Sequence, residues 1–418
     1  MGFENMKKVA TETLGCKLSY AESATYAREF ETAGYTIVPC GEVADVYIVN
    51  TCSVTAHADK KGRNFINRLH RQAPQARIIV TGCQAQLKAE QLAAQGGVWA
   101  VVGSQYKSRL LEIAEADSLE HKIFLEPIEE SRAYFAAHSM GGRTRAFLKV
   151  QDGCDYHCTY CTVPLARGCS RNPSIATVLE QAKEIAAAGF KEVVITGVNT
   201  GDFGKTSGES FFDLLKALNA VDGIERYRIS SIEPNLLTDE MVDWIAGGTK
   251  ILPHFHIPLQ SGCNRILAAM HRRYNTDFFR RKIEYVRSRM DNVFFGIDVI
   301  VGFPGESDED FETTRRFLGE IKPAFIHIFP YSRRAGTPAA DMHGQVPESK
   351  KAERVKSLEE LCARLNSEFY AANRGRREQV LFESTQKNGK MFGYSRNYIK
   401  VERDWDPSLV GQIVEVEL

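Results

Sequence analysis

Three cysteines lie close together in the chain with the spacing CxxxCxxC: Cys154, Cys158 and Cys161. They come soon after a short apolar run, Phe147-Leu-Lys-Val, that we interpret as the first strand of a parallel α/β series. Three thiolates on one short loop can bind three irons of a cubane [4Fe-4S] cluster, which leaves the fourth iron open. Because barrel folds carry their chemistry at the carboxyl ends of strands, the spacing predicts a reactive iron-sulfur site there.

An open iron can chelate the amino and carboxylate groups of S-adenosylmethionine (SAM) and pass an electron to its sulfonium. A zinc site, with His157 as the fourth ligand, is the alternative interpretation. We disfavour zinc because His157 stands between cysteines rather than at ordinary ligand spacing, and because no second CxxC pair follows nearby.

A second set of cysteines, Cys16, Cys52 and Cys83, is spread over the first part of the chain. Each stands just past a predicted strand. The carboxyl ends of parallel strands share one edge of a sheet, so these cysteines can converge and hold a second cluster with one open iron. Burial as small apolar residues is the alternative for any one of them. Three cysteines at equivalent strand ends favour the cluster.

The composition fits a globular protein without disulfides. The chain has 418 residues and ten cysteines, and its 53 basic residues balance its 53 acidic residues, which removes any global electrostatic attraction to nucleic acid or membrane. No apolar stretch reaches the roughly 18 residues that cross a bilayer, and the segment from Met1 to Met6 shows no export signal. We therefore expect a cytoplasmic protein with reduced thiols, in which the other cysteines are structural. These are Cys40, Cys169, Cys263 and Cys362.

The pattern around Cys16, Cys52 and Cys83 predicts a parallel α/β sheet domain, which we assign to residues 1–130. Its clearest strands are Lys8-Val-Ala-Thr-Glu-Thr, Val46-Tyr-Ile-Val, Arg77-Ile-Ile-Val and Trp99-Ala-Val-Val. Helices are predicted at Glu22 to Ala33, Ala56 to Arg71 and Lys88 to Gln95. The charged, irregular segment from about Leu119 to Arg145 is predicted to be a linker.

A second alternating series, assigned to residues 140–372, contains six predicted strands. They are Phe147-Leu-Lys-Val, Glu192-Val-Val-Ile-Thr, Tyr227-Arg-Ile-Ser, His254-Phe-His-Ile, Val293 to Val301 and Phe325-Ile-His-Ile. Helical patterns separate them, with helix starts near Ser174 and Ser307, and a long helix follows at Pro347 to Asn373. Six βα units predict a partial (β/α)6 barrel rather than a closed barrel of eight.

The last segment, residues 373–418, changes to short alternating strands. These are predicted at Gln379 to Glu383, Met391-Phe-Gly-Tyr, Tyr398-Ile-Lys-Val and Gln412-Ile-Val-Glu-Val, with a turn at Asn388-Gly389. We expect a small all-β barrel of five strands.

Several polar residues end the predicted barrel strands and should face its mouth. Ser231 and Glu233 end the third strand, and Gln260 and Ser261 end the fourth. The loop from Gly197 to Gly204 could let the methionine end of the cofactor approach the backbone. His254 and His256 share one strand face, where we favour a hydrogen-bonded barrel interior over a metal pair.

These features together resemble a known family, the radical SAM methylthiotransferases, and the resemblance covers essentially the whole chain. Its motifs are Asn50-Thr-Cys-Ser-Val-Thr, Gly153-Cys-Asp-Tyr-His-Cys-Thr-Tyr-Cys, Pro258-Leu-Gln-Ser-Gly, Asp298-Val-Ile-Val-Gly-Phe-Pro-Gly-Glu and Tyr331-Ser-Arg-Arg-Ala-Gly-Thr. The last segment resembles the TRAM module, an RNA-binding barrel. In this family Tyr160 would lie beside the adenine of the cofactor; burial against the barrel is the alternative.

Within the family, the chain most resembles the branch that acts on N6-threonylcarbamoyladenosine at position 37 of tRNA. This resemblance rests on Thr13-Leu-Gly-Cys-Lys, Thr196-Gly-Val-Asn-Thr-Gly-Asp-Phe-Gly and Gly393-Tyr-Ser-Arg-Asn-Tyr-Ile-Lys-Val. It implies two [4Fe-4S] clusters and two SAM molecules per turnover. One SAM supplies a methyl group to a sulfur carried at the first cluster, and the other supplies a radical that removes hydrogen from C2 of the adenine.

The resemblance also implies partners: the anticodon loop of a tRNA and an electron donor such as flavodoxin or ferredoxin. We expect a monomer with no membrane association. Local basic clusters such as His271-Arg-Arg-Tyr and Arg333-Arg are candidate phosphate contacts, with a solvated surface as the alternative. Two rival functions remain: modification of isopentenyl-adenosine in tRNA or of a ribosomal-protein aspartate, and a non-catalytic metal-containing RNA-binding protein.

Overall fold

The computed structural model describes residues 6–418. The first part of the chain forms a six-stranded parallel sheet. Residues 1–5, part of the segment considered for an export signal, lie outside this range. The strand order is β2-β1-β3-β4-β5-β6. The strands are β1 (Lys8–Thr13), β2 (Thr36–Ile37), β3 (Val46–Thr51), β4 (Arg77–Gly82), β5 (Val98–Val102) and β6 (Ile123–Phe124).

Both faces of this sheet are buried. Along β3, Tyr47 and Val49 pack into one hydrophobic cluster, whereas Val46 and Ile48 pack into another on the opposite face. This arrangement explains why the strand is an uninterrupted apolar run. The helices of this part are α1 (Lys17–Thr32), α2 (Ala56–Gln72), α3 (Cys83–Leu87), α4 (Ala89–Ala93) and α5 (Leu110–Glu115).

The second part is an open barrel of six parallel strands, as predicted. The strands are β7 (Ala146–Lys149), β8 (Glu192–Thr196), β9 (Arg226–Ile229), β10 (His254–Gln260), β11 (Phe294–Val301) and β12 (Phe325–Pro330). Two ladders, β7-β8-β9 and β10-β11-β12, are joined by the single pairings of Tyr227 with Ile251 and of Ser231 with His256. Within the described residues β7 and β12 do not pair, so the barrel stays open along one side.

Nine helices within the described residues follow or connect the barrel strands. They are α6 (Val163–Arg167), α7 (Ile175–Ala187), α8 (Phe211–Asn219), α9 (Asp239–Ala246), α10 (Asn264–Ala269), α11 (Thr276–Arg289), α12 (Asp308–Ile321), α13 (Pro338–Asp341) and α14 (Glu348–Asn373). The predicted helix starts are confirmed: Ser174 and Ser307 accept hydrogen bonds from the backbone N–H groups of Thr177 and Asp310. None of the described helices is long and apolar enough to cross a membrane.

Alternation along the barrel strands separates an apolar outside from a polar inside. On β10, Phe255, Ile257 and Leu259 are fully buried in the main hydrophobic core. His254 and His256 alternate with them and therefore face the barrel lumen.

The segment predicted as a linker is partly built into the fold. β6 extends the first sheet, and His138 makes an antiparallel bridge to Leu148 of β7. Ala137 and Ser139 are fully buried there. The sequence pattern missed this because the segment lacks a periodic apolar face and is held by backbone pairing.

The last part is an antiparallel sheet, curled into a half-barrel, in the order β15-β14-β13-β16. Its strands are β13 (Arg377–Lys387), β14 (Lys390–Ser395), β15 (Lys400–Asp404) and β16 (Ile413–Glu417). It has four strands rather than the expected five. The predicted Asn388-Gly389 turn is confirmed, with φ of 53° and 74°.

This half-barrel closes the amino-terminal end of the open barrel. Two arginines of β9 bind its backbone carbonyls: Arg226 those of Gln379 and Tyr394, and Arg228 those of Ser395 and Arg396. The Tyr398 ring packs on His254 at the start of β10, with ring centroids 4.7 Å apart. The lumen is therefore closed at the amino-terminal ends of the strands and open at their carboxyl ends.

Candidate cluster and cofactor site

Three neighbouring strands of the first sheet carry the first cysteine triplet at their carboxyl ends. Cys16 caps the start of α1 after β1, Cys52 directly follows β3, and Cys83 opens α3 directly after β4. β1, β3 and β4 are adjacent in the sheet. A Cβ placed on Gly15 would lie 3.8 Å from Cys52 Cβ, so the chain before Cys16 runs against Cys52.

The charges of these cysteines act on one another. Burial, together with the charges of the neighbouring Cys83 and Cys16, raises the pKa of Cys52 to about 11. The metal-free Cys52 is thus a neutral thiol at pH 7, and a bound metal would stabilise its thiolate.

The second triplet lies on the loop between β7 and α6. Backbone N–H groups point at two of its sulfurs: Tyr156 N lies 3.4 Å from Cys154 Sγ, and Val163 N lies 3.4 Å from Cys161 Sγ. Burial raises the pKa of both Cys154 and Cys161 to about 12.

The third sulfur of this loop has a charged donor. Arg272 Nη1 lies 3.1 Å from Cys158 Sγ, and the same guanidinium forms an ion pair with Glu233. Hydrogen bonds to cluster sulfurs are among the features that set the potential of an iron-sulfur cluster. Unpaired thiols with N–H donors aimed at their sulfurs fit such a cluster.

Neither triplet matches the compact geometry of a zinc site. A tetrahedral zinc ion with Zn–S bonds of about 2.3 Å needs its sulfurs roughly 3.8 Å apart. Within residues 6–418, the group of three His, Cys, Asp or Glu ligands whose donor atoms all lie within 4.8 Å of one another is His256, Asp298 and His327. This group contains no cysteine. His157, the fourth ligand of the zinc alternative, is exposed. Wider spacing is expected when each cysteine binds a different iron of a cubane.

Glycines before the cysteines bring the chain unusually close to its neighbours. Gly82 has φ of 93°, and a Cβ there would lie 2.3 Å from the carbonyl oxygen of Thr51. Gly153 has φ of 72°, and a Cβ would lie 2.0 Å from the carbonyl oxygen of Cys169. A side chain at either position would displace the cysteine that follows.

A helix contact joins the parts of the chain that carry the two triplets. α3, which begins at Cys83, packs against α6, which begins two residues after Cys161. Ser104 Oγ also donates a hydrogen bond to the carbonyl of Ala166 in α6, at 3.1 Å. The chain that begins at Cys83 and the chain just after Cys161 are thus neighbours in the fold.

A buried charge network lies at this junction. Glu22 of α1 accepts hydrogen bonds at Oε1 from Lys107 and Lys149, both at 2.8 Å, and from Arg167 at 3.2 Å. Asp152 accepts from Lys149 at 2.7 Å and from Arg167 at 2.8 Å. Burial alone would raise the pKa of Glu22, but the three cations hold it below its ordinary value.

A second cross-link joins the barrel to the chain around Cys52. Arg334 donates to Asp59 at 2.7 Å and to Ser53 at 2.8 Å, and Ser53 in turn donates to Asp59. Arg334 belongs to a pair proposed from sequence as a phosphate contact. It points inward, whereas Arg333 is largely exposed.

The structure places the five predicted cofactor residues as follows. Tyr160 is half-buried against Met270 and Phe303, with its hydroxyl 3.5 Å from Arg272 Nη1. Gly197 and Ser231 follow β8 and β9, Glu233 pairs with Arg272, and Gln260 ends β10 with φ of 69°. Four of them come at or just beyond the carboxyl ends of barrel strands, and their contacts with SAM stay a prediction.

The backbone at Gly197 approaches a side chain that sequence reasoning missed. Gln151 Oε1 accepts hydrogen bonds from the N–H groups of Val198 and Asn199, both at 2.9 Å. A Cβ on Gly197 would lie 3.0 Å from the same oxygen. Gln151 therefore fixes the loop for which an approach to the cofactor was predicted.

The loop after β8 also carries a buried polar atom that has no hydrogen-bond partner in the described part of the chain. Within the described residues Asn199 Nδ2 is buried and makes no hydrogen bond. A buried amide donor without an acceptor is costly unless a ligand completes it. The backbone N–H of Glu233 donates to Asn199 Oδ1, and the free Asn199 amide beside this carboxylate residue fits a zwitterionic cofactor such as SAM.

Below this mouth, the lumen contains further ionisable groups. His256 Nε2 lies 2.6 Å from Asp298 Oδ1, and the rings of His256 and His327 are 5.0 Å apart. His256 is thus hydrogen-bonded in the barrel interior, as predicted, whereas His254 Nδ1 is buried and makes no hydrogen bond within the described residues. Burial lowers the pKa of Lys17, whose charge also acts on His254 and His327.

Two family models match the chain. Residues 148–318 match the radical SAM superfamily, and residues 8–103 match an uncharacterised protein family, UPF0004. Among solved structures, the radical SAM methyltransferase TsrM from Kitasatospora setae aligns with a TM-score of 0.60 at 15% identity, over 80% of this chain and 75% of that one. This likeness shows the fold.

Full-length relatives are more specific. The threonylcarbamoyladenosine tRNA methylthiotransferase MtaB of Bacillus subtilis is 38% identical over 99% of this chain and 94% of its own length. The MtaB of Aquifex aeolicus is 38% identical over 98% and 99%. The tRNA-2-methylthio-N(6)-dimethylallyladenosine synthase of Aquifex aeolicus is 32% identical over 99% and 96%. Because it is alike along its whole length to relatives of this kind at 38% identity, the chain belongs to the radical SAM methylthiotransferase family.

Proposed function

We propose that this protein converts N6-threonylcarbamoyladenosine at position 37 of tRNA to its 2-methylthio derivative, by radical chemistry with SAM and two [4Fe-4S] clusters. The main support is the α3–α6 contact, because α3 begins at Cys83 and α6 begins two residues after Cys161. Relatives named for this reaction at 36–38% identity support the substrate.

Each triplet would hold one cluster: Cys154, Cys158 and Cys161 in the barrel, and Cys16, Cys52 and Cys83 on the first sheet. When bound, the clusters supply an electron that cleaves SAM at the barrel site and a place at the other site for the sulfur to be added. Tyr160, Gly197, Ser231, Glu233 and Gln260 are our proposed contacts to SAM.

The chain's own residues position these groups. Arg272 holds Cys158 Sγ and the Glu233 carboxylate at once, so the cysteine loop and the end of the third barrel strand keep a fixed spacing. Gln151 holds the loop after β8 in the same way. Such preorganisation keeps reacting groups in position without reorganisation during the reaction.

We further propose three functional units, residues 1–130, 140–372 and 373–418, with the last gripping the tRNA anticodon arm. The exposed Arg396 and Lys400 on that half-barrel are suited to phosphate contacts. A small electron-transfer protein such as flavodoxin or ferredoxin would supply electrons to a monomeric enzyme.

Nucleoside mass spectrometry of tRNA from a strain that lacks this gene tests the function. The 2-methylthio form of N6-threonylcarbamoyladenosine should disappear and its unmethylthiolated precursor should accumulate. The gene with Cys40→Ala should restore the product, whereas the gene with Cys154→Ala should not. Loss of 2-methylthio-N6-isopentenyladenosine instead would favour the rival substrate, and an unchanged nucleoside profile would contradict both.

A further inference from the structure

Three neighbouring barrel strands each place one metal-binding side chain on the lumen face: His256 on β10, Asp298 on β11 and His327 on β12. In the parallel ladders Asp298 pairs with His327, and His256 pairs with Gly296, two residues before Asp298. Residues two apart on a strand point to the same face of a sheet. The three side chains therefore share one face.

The donor atoms of these side chains are close together. His256 Nε2 lies 2.6 Å from Asp298 Oδ1, and the rings of His256 and His327 are 5.0 Å apart. One donor atom from each of the three residues lies within 4.8 Å of the other two. Around a tetrahedral ion with bonds of about 2.1 Å, ligand atoms stand roughly 3.4 Å apart. The separations lie on either side of that value, so side-chain rotations alone would bring the three atoms around one ion.

The strand between the two histidines leaves room beside them. A Cβ placed on Gly296 would lie 3.6 Å from His327 Nε2 and 4.0 Å from Cδ2 of His256, and no side chain fills that position. The side chains of His256 and Asp298 are 21% and 18% exposed. Since they face a lumen that is open at the carboxyl ends of its strands, an ion from solvent can reach them.

The lone pairs of this group are only partly used. Within residues 6–418, Asp298 accepts one hydrogen bond, from His256, and the ring of His327 makes none. The pair of histidines considered from sequence is different, because His254 packs on the ring of Tyr398 at the closed end. The structure thus replaces His254 by a carboxylate and a histidine from two other strands.

We propose that His256, Asp298 and His327 bind one divalent transition-metal ion, with zinc as the ion to test. Two imidazoles and one carboxylate are a donor set that zinc uses in proteins, and three protein ligands leave a fourth position for water or a substrate atom. On binding, His256 Nε2 would exchange its hydrogen bond to Asp298 for a bond to the metal. The site is separate from both cysteine triplets and does not depend on the proposed function.

The test uses the full chain after anaerobic iron-sulfur reconstitution, incubated with zinc chloride and passed through a gel-filtration column. Crystals of this protein give anomalous difference maps on both sides of the zinc absorption edge, which separate zinc from iron and locate each ion. We expect a zinc peak within about 2.0–2.2 Å of one donor atom of His256, Asp298 and His327. A map with no zinc at these residues would leave His256 and Asp298 as a hydrogen-bonded pair and overturn the proposal.

Zinc retained in solution, measured by plasma mass spectrometry, gives a second readout. Asp298→Asn and His327→Gln should each lose the zinc that the wild type retains. His343→Gln removes an exposed histidine elsewhere and should retain it. Equal zinc retention in the wild type, Asp298→Asn and His327→Gln would overturn the proposal. If these two variants do not fold, the anomalous map of the wild type decides alone. Because neither readout involves tRNA, failure of the proposed function would leave this site standing.

Discussion

Arg167 Nη1 lies 3.2 Å from Glu22 Oε1, so the helix that follows one cysteine triplet is ion-paired to the helix that follows the first cysteine of the other. Both side chains are buried. Lys107 and Lys149 donate to the same carboxylate. One carboxylate that holds three cations therefore contributes to the relative position of the two triplets.

Glu22→Gln should lower the free energy of unfolding by about 3–5 kcal/mol, because it leaves buried cations without their counter-charge. Urea unfolding followed by tryptophan fluorescence measures this. Glu31→Gln changes an exposed residue of the same helix and should stay within about 0.5 kcal/mol of wild type. Equal effects of the two substitutions would show that the network adds nothing to stability.

The same carboxylate predicts a pH dependence. The pKa of Glu22 lies below its ordinary value of 4.5 in the folded protein, as does the pKa of Asp152 below its own. A carboxyl with a depressed folded pKa stabilises the fold above the unfolded pKa and loses that contribution as pH falls. Unfolding free energy should therefore fall below about pH 4.5. The fall should be shallower in Glu22→Gln, and identical slopes would contradict the assignment.

The order of strands and helices could largely be predicted from sequence. Strands of the first sheet such as β3 are apolar runs, barrel strands such as β10 alternate apolar and polar residues, and polar helix caps such as Ser174 and Ser307 mark helix starts. The convergence expected for Cys16, Cys52 and Cys83 followed from the shared edge of a parallel sheet. Strands of two residues, such as β2 and β6, carry too little pattern to be seen.

The contacts between the two regions could not be predicted. In His271-Arg-Arg-Tyr one arginine, Arg272, turns inward to Cys158 while Arg273 stays exposed, and local sequence does not distinguish them. Glu22 and Lys149 are 127 residues apart and pair only through the packing of α1 beside β7. Long-range ion pairs of this kind leave no periodic signal.

Gly153→Ala should displace the loop that carries Cys154, because its Cβ would lie 2.0 Å from the carbonyl oxygen of Cys169. Iron bound after reconstitution should fall by about half, since one of two clusters is lost. Gly189→Ala is the matched control, because Gly189 has φ of 82° with no atom near the added Cβ. It should keep its iron at a stability cost of about 1–2 kcal/mol. Full iron in Gly153→Ala would contradict the predicted crowding.

Arg272→Met should lower the reduction potential of the cluster held by Cys154, Cys158 and Cys161. The guanidinium donates towards Cys158 Sγ, and a positive donor stabilises the more negative reduced state. Potentiometric titration followed by electron paramagnetic resonance gives the potential directly. Arg281→Met, an exposed substitution on α11, should leave it unchanged. An unchanged or raised potential in Arg272→Met would show that the contact is absent in the loaded protein.

The two-cluster account is tested most directly by assaying both products of one reaction in two triple variants. With reductant, SAM and tRNA bearing N6-threonylcarbamoyladenosine, chromatography and mass spectrometry measure 5′-deoxyadenosine and the 2-methylthio nucleoside together. Replacement of Cys154, Cys158 and Cys161 by Ala should abolish both products. Replacement of Cys16, Cys52 and Cys83 by Ala should keep 5′-deoxyadenosine but abolish the methylthio nucleoside. Full methylthiolation by the second variant would contradict the account, because those cysteines would then not be cluster ligands.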